Sequence, residues 1–287
     1  MVYDCIIIGS GVAGLTAGIY LGRVNKNVLI IENGSIGGTT AELELIENYP
    51  GFEAISGKDL VSNMVMQVVK NGININICDI NKIDYDKKCI YTMETIFEYK
   101  TLIIASGMSV KTMNLLNEDK YKFKGLSYCA VCDGALYKHK KIVVVSDGLS
   151  GKSSVNYLKN ISRDITVLDI SNTFKDDSIN VISNVIPIEI IGDKFVSGFK
   201  YKVDNKEYVV DCNAIFVSLG KYVNTKLYED KIQLNNNHIV TDESMKTNLD
   251  GVYAVGDNRD KNLRQIVTAC SDGAIAGNEV LKILSTY

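Results

Sequence analysis

The chain opens on a nearly unbroken apolar run, Val2-Tyr3-Asp4-Cys5-Ile6-Ile7-Ile8, the pattern of a parallel strand covered on both faces. Gly9-Ser10-Gly11-Val12-Ala13-Gly14 follows, then a helix to about Val24 with Leu15, Ile19 and Val24 on its inner side. A second strand over 27–31 ends at Glu32, which completes a βαβ unit, and a further strand over 101–105 ends in Ser106-Gly107. The same alternation restarts at Lys140 with a buried strand over 142–145, a Gly/Ser-rich turn, a helix over 152–160 and a strand over 165–168. A strand over 214–219 precedes Gly220, and the last forty residues predict a strand over 251–255, a Gly-Asp turn and a helix over 273–284. The economical reading is α/β, with two doubly wound units. The first covers 1–111 and is completed by 246–287; the second, 112–245, is inserted in it.

Length agrees with this division, since 287 residues at roughly 150 per domain make two. Apolar residues at 46% and charged residues at 23% exclude global disorder. A net charge of -3 gives no strong field for nucleic acid or a membrane surface. Every apolar run is far shorter than the ~18 residues a membrane span needs. The immediate N-terminal strand leaves no room for a signal peptide, so a cytoplasmic protein is expected. Of the seven cysteines, Cys5, Cys78, Cys89, Cys212 and Cys270 are isolated and read as buried, inert thiols.

Gly9, Gly11 and Gly14 lie between a strand and a helix, which gives their spacing a mechanical purpose. The first permits the tight turn, the second lets a pyrophosphate approach the backbone, and the third lets helix and strand pack closely. Glu32 closes the next strand where a ribose hydroxyl would be held. Ala105-Ser106-Gly107 and Gly256-Asp257 end two other strands with small residues, and Asp257 suits a polyol such as a ribityl chain. These segments favour FAD over NAD in a Rossmann-like unit, and taken together they resemble the flavoprotein disulfide reductases along nearly the whole chain.

Cys129-Ala130-Val131-Cys132 is the one close pair of cysteines. Two thiols at this spacing close a disulfide, and local dipoles stabilise one thiolate. Zinc is a rival reading, but it needs two more ligands, and His139 and His238 form no ligand pair. Two unrelated core cysteines are another. Asp133 follows directly, as a proton donor to a leaving thiolate or as a helix cap.

Cys-Ala-Val-Cys-Asp-Gly resembles the active-site segment of the low-molecular-weight thioredoxin reductases. Gly37-Gly38-Thr39 and Glu47-Asn48-Tyr49-Pro50-Gly51 look like that family's flavin-contacting loop, with Thr39 where the family usually has Gln. Gly256-Asp257 and Arg264-Gln265-Ile266 resemble its C-terminal flavin segment. The resemblance implies FAD contacts at Ser10, Ala13, Asn33 and Ile80 as well. It also implies that Cys132 faces the flavin, Cys129 attacks the substrate disulfide, Asp133 shuttles protons, and the chain forms a homodimer.

The second unit departs from the family. An NADPH-binding member resembles Gly-Gly-Gly-x-Ser/Thr-Ala at this turn, with a basic cluster after the next strand. Here Ser146-Asp147-Gly148-Leu149-Ser150-Gly151 puts a carboxylate where a pyrophosphate would sit, and Asp169 stands where a 2′-phosphate needs arginine. Arg163 is the one arginine of 112–245. The pattern resembles the ferredoxin-dependent flavin thioredoxin reductases, in which reduced ferredoxin supplies the electrons and thioredoxin or a thioredoxin-like protein accepts them. Seven lysines against three acids over 111–141, together with Arg259, Lys261 and Arg264, offer an acidic partner a basic surface or form an ordinary solvated face. NADH as donor, an NADPH-independent dithiol oxidase passing electrons to oxygen, and a non-catalytic redox-sensing flavoprotein remain as alternatives.

Overall fold

The computed structural model describes residues 1–287 except Glu44, Phe123, Glu229, Asp230, Thr286 and Tyr287, and the side chain of Cys132. Strand β1 (Val2–Ile8) leads through a tight turn into helix α1 (Val12–Gly22) and back to β2 (Val28–Glu32). Helix α1 stops at Gly22, short of Val24, because Asn25 adopts a positive φ of 56° and reverses the chain; Val24 is left exposed. Helix α2 (Gly57–Lys70) starts under the Ser56 hydroxyl, which accepts from the Asp59 amide at 3.0 Å, an N-cap of the usual kind. Strands β3 (Asn74–Ile77), β4 (Ile80–Asp84), β5 (Cys89–Thr92) and β6 (Ile96–Ile104) follow.

The second unit contributes β7 (Leu126–Ser127), the one-turn helix α3 (Ala130–Asp133), β8 (Ile142–Ser146), α4 (Leu149–Leu158) and β9 (Ile165–Asp169). After β10 (Asn180–Ser183) come three strands forming a separate antiparallel sheet, β11 (Ile186–Gly192), β12 (Val196–Val203) and β13 (Lys206–Asp211), and then β14 (Ala214–Ser218). The chain closes with β15 (Val252–Ala254) and helix α5 (Ile266–Leu284). Helix α5 begins well before residue 273 because Gln265 and Thr268 cap it reciprocally.

Two compact units result, Met1–Ser109 with Val223–Tyr287 and Val110–Tyr222. The return to the first unit thus comes at Val223, ahead of the expected residue 246. Tyr228, Ile232 and Ile239 pull it there by packing on Ile6, Ile8 and Leu102.

The first unit holds a seven-stranded sheet in which β3-β2-β1-β6-β15 run parallel, with β5 and β4 added antiparallel beside β6. Alternation along β1 sends Cys5 and Ile7 to one face, under α1 and α5, and Ile6 and Ile8 to the other. Each fully buried isoleucine contributes roughly 1.5–3 kcal/mol. Helices α1 and α5 cross closely because α5 has no side chain at its point of approach: a Cβ on Gly273 would lie 2.2 Å from the Ala13 carbonyl oxygen. The second unit is a five-stranded parallel sheet ordered β10-β9-β8-β14-β7. The fold is two doubly wound, Rossmann-like units. No helix among the described residues is long and apolar enough to cross a membrane.

Candidate functional site

At the carboxyl end of β1 the chain makes a cradle. Gly9 takes a positive φ of 103°, and a Cβ there would lie 2.3 Å from the Ala105 carbonyl oxygen. Gly14 packs as tightly, its Cβ position falling 2.1 Å from the Gly9 oxygen. A Cβ on Gly11, by contrast, would meet nothing within 4 Å. That glycine caps α1 with no side-chain bond and no acid in the first turn, so no capping side chain competes for the amides at the helix end, the arrangement that accepts phosphate.

Other segments close around this cradle. The Gly37 amide donates to the Ser10 carbonyl at 3.1 Å, and Gly37 bridges to Gly11. Gly38 lies alongside, and Thr39 next to it is exposed. Glu32 accepts from the Ser10 amide and hydroxyl, both at 2.7 Å, and from the Gly34 amide at 2.9 Å. Ala105 donates to the Ile8 carbonyl at 2.7 Å, and Gly256 comes up against Ala13, the position of its missing Cβ 3.1 Å from the alanine methyl.

The structure therefore brings together Gly9, Ser10, Gly11, Ala13, Gly14, Glu32, Gly37, Gly38, Ala105 and Gly256. Asn48 and Gln265 form a second pair, amide to amide at 3.1 Å, with Ile266 beginning α5 beside them. Asn33 is exposed beyond β2, and Ile80 is half-buried against the sheet face that carries Ile6.

The Gly-Asp turn is held by groups the sequence pattern does not announce. Buried Asp272 accepts from the Gly256 amide at 3.0 Å and pairs with Arg259 at 2.9 Å and Lys261 at 2.8 Å. Arg264 donates to the carbonyls of Asp257 and Arg259. Arg259 and Lys261 are thus consumed by an internal ion-pair network and do not form the basic surface expected of them. Asn258, wholly buried, ties the turn to the Ile104 carbonyl at 3.0 Å and to Ser106, which also bonds the Tyr228 hydroxyl; Gly107 follows at a positive φ. One buried oxygen of Asp257 makes no hydrogen bond and has only the Lys261 ammonium at 3.9 Å, which leaves it able to accept from a polyol hydroxyl.

In the second unit, Cys129 is half-buried and engaged in a disulfide. Its pairing with Cys132 turns on a side chain outside the described residues. Ser127, which the sequence reading overlooked, organises the segment: its hydroxyl donates to Asp133 at 2.6 Å and accepts from the Cys129 amide at 3.1 Å. Asp133 is thereby tied to the hydroxyl that also holds the Cys129 amide, and burial, with the Asp133 charge added, pushes the Tyr137 hydroxyl up. The five isolated cysteines are free; Cys5, Cys89 and Cys212 are buried, and burial pushes Cys5 and Cys212 up to about 12. Cys78 and Cys270 are only half-buried, the latter facing the Tyr49 hydroxyl at 3.8 Å.

The turn after β8 has the same spacing as the cradle and a different filling. Gly151 packs on Ser146 much as Gly14 packs on Gly9, its Cβ position 2.0 Å from Ser146 Oγ. Gly148 faces no open space: a Cβ there would lie 1.9 Å from Thr173 Oγ1. Asp147 accepts from the Ser150 amide at 3.1 Å and so occupies the end of α4. Asp169, fully buried, is bonded by the Ser171 amide and hydroxyl and by the Phe174 amide at 2.8 Å.

Residues 3–273 match the pyridine nucleotide-disulphide oxidoreductase family. Among characterised sequences, the chain is 37% identical to a 34.2 kDa protein in the rubredoxin operon of Clostridium pasteurianum, over 95% of this chain and 94% of that one. It is 36% identical to the thioredoxin reductase of Listeria monocytogenes, over 98% and 93%. Among solved structures, the thioredoxin reductase of Streptococcus pyogenes matches with a TM-score of 0.78 and 34% identity over 100% and 99%. A ferredoxin-flavin thioredoxin reductase from Clostridium acetobutylicum matches with 0.57 and 29% over 100% and 99%.

Proposed function

The chain belongs to the pyridine nucleotide-disulphide oxidoreductases, and from that premise we propose a thioredoxin reductase that takes its electrons from reduced ferredoxin rather than NADPH. The coarser activity, an FAD-dependent disulfide oxidoreductase of the thioredoxin reductase type, is that of its family. FAD, when bound, supplies a group that accepts electrons singly and delivers them as a pair.

The chain's own residues fit that cofactor. The open backbone at Gly11 would receive the pyrophosphate, Glu32 the ribose, and Asp257, which makes no hydrogen bond through its buried oxygen, the ribityl chain. Gly37, Gly38, Asn48, Gln265 and Ile266 would flank the flavin ring. In the acceptor step the Cys129 thiolate attacks one sulfur of the partner disulfide, and the other leaves as a thiolate that Asp133 supplies with a proton. The Cys132 thiolate then attacks the Cys129 sulfur of the mixed disulfide and expels the partner's second sulfur as a thiolate, which takes a proton from solvent, so that the partner leaves as a dithiol and the Cys129–Cys132 disulfide is restored. A homodimer in the cytoplasm completes the reading.

The observation that carries the choice of donor is the filled turn of the second unit. Thr173 occupies the space in front of Gly148, Asp147 occupies the helix end, and Asp169 is spent on its own loop. A pyrophosphate placed there would displace a side chain and meet a carboxylate at short range. A relative named for ferredoxin and flavin lies among the solved structures. The test is anaerobic titration of the oxidised holoenzyme with NADPH, NADH and then reduced ferredoxin, following flavin absorbance. Bleaching by ferredoxin alone, with electrons reaching thioredoxin, is the expected result. Bleaching by NADPH at a catalytic rate overturns the choice of donor and leaves the disulfide chemistry standing.

A further inference from the structure

Within the second unit, Lys120, Lys124, Asp193, Lys194 and Phe195 line one groove of about 410 Å³. Three lysines meet a single acid there, in a chain whose net charge is -3. Phe195 stands in the groove 67% exposed, at the turn between β11 and β12. The walls are fixed. Tyr121, almost fully buried, donates its hydroxyl to the Gly192 carbonyl at 2.5 Å, and Lys120 lies over the Tyr121 ring. The Val196 amide donates to the Lys124 carbonyl at 2.9 Å, joining the hairpin to the segment that runs on into β7. An exposed aromatic beside clustered like charges offers an apolar anchor together with a field that steers an oppositely charged partner.

We propose that this groove docks the disulfide-bearing acceptor, an acidic protein of the thioredoxin type, and not the electron donor. The inference rests on the disulfide reductase reading above, but not on ferredoxin as donor. Four residues lie between Lys124 and Cys129, five steps along the chain, so their Cα atoms lie within about 18 Å. Lys122 sits over the ring of Tyr128, the residue before Cys129, at 5.9 Å. A compact domain of roughly 100 residues has a radius of gyration near 13 Å, so one seated on the groove also reaches Cys129. The basic residues beside the Gly-Asp turn are turned inward instead, Arg259 and Lys261 onto Asp272, Lys261 also toward Asp257, and Arg264 onto the carbonyls of Asp257 and Arg259.

The experiment uses holoenzyme reduced with dithionite, so that the donor does not enter. Reoxidation by a purified, net-acidic bacterial thioredoxin in its disulfide form is compared with reoxidation by the small disulfide DTNB. The triple variant Lys120→Glu, Lys124→Glu, Lys194→Glu is expected to slow thioredoxin at least tenfold at low salt, with DTNB within twofold. Salt slows the wild type and not the variant. A separate Phe195→Ser variant lowers the thioredoxin rate at all salt concentrations. An unchanged thioredoxin rate, or equal losses with both disulfides, overturns the proposal. So does a loss confined to flavin reduction by ferredoxin, which would make the donor the occupant. Failure of ferredoxin to reduce the wild-type flavin rejects the donor assignment alone and leaves the dithionite arm readable.

Discussion

The turns after β1 and β8 share a spacing and differ in what occupies their middle. Both keep a close-packed third position, Gly14 on Gly9 and Gly151 on Ser146. The strand-to-helix crossing needs that contact whether or not a ligand binds. Only the first keeps space at its second glycine, where Gly11 is open and Gly148 is covered by Thr173. The acids ending the following strands share one contact and differ in the rest: each accepts from the amide two residues on, Gly34 or Ser171, but Glu32 also reaches back to Ser10 in the turn, whereas Asp169 is fully buried and takes the Phe174 amide. Glycine spacing in a βαβ turn therefore records two separable requirements, packing and ligand access. The second turn keeps the packing, and the Thr173 hydroxyl lies against its middle glycine.

Substitution at the two middle glycines separates these requirements most strongly. Gly11 has φ -65° and ψ 173°, a conformation open to any residue, and a Cβ there meets no atom. Gly11→Val is expected to leave the apoprotein's unfolding midpoint unchanged and to weaken FAD binding at least about 100-fold, or about 2.7 kcal/mol. Fluorescence titration of apoprotein with FAD measures it, and yellow protein of normal affinity would contradict the cradle assignment. Gly148→Ala should do the reverse. At φ 93° and ψ -79° an L side chain is strained, and its Cβ meets Thr173. A loss of about 1–3 kcal/mol is expected in urea unfolding, with FAD content unaltered. Equal effects of the two variants on both readouts would erase the distinction between the turns.

What was legible in the sequence was whatever depends on near neighbours along the chain. The apolar run of β1, the spacing of Gly9, Gly11 and Gly14, and the helix after them all follow from local periodicity. Asp147 at the second turn was equally readable, because a carboxylate two residues from a helix start acts on that helix. Features that depend on distant segments were not readable. Thr173 lies beyond the next strand, and nothing in its neighbourhood says that it folds onto Gly148. Asp272 sits in a helix and removes two cations from the surface by pairing across the turn. Ser127 resembles any strand-end serine until Asp133 and Cys129 are seen on the same hydroxyl. The return at Val223 was hidden for a similar reason, since it rests on Tyr228, Ile232 and Ile239 packing on Ile6, Ile8 and Leu102, in strands far away in the chain.

The smallest expected effect tests which of the two blocks on the second turn is structural. Asp147 bonds the Ser150 amide at 3.1 Å and places a negative charge at the amino end of α4, and both contacts stabilise the helix. Asp147→Ala is expected to destabilise the protein by about 1 kcal/mol, read as a lower urea midpoint. If the carboxylate alone excluded phosphate, the variant would gain NADPH binding measurable by calorimetry. Thr173 still fills the space before Gly148, and Asp169 remains committed to Ser171 and Phe174. The variant is therefore expected to lose stability without gaining affinity. NADPH binding by Asp147→Ala would mean that the filled space yields readily and that charge alone separates the second turn from the first.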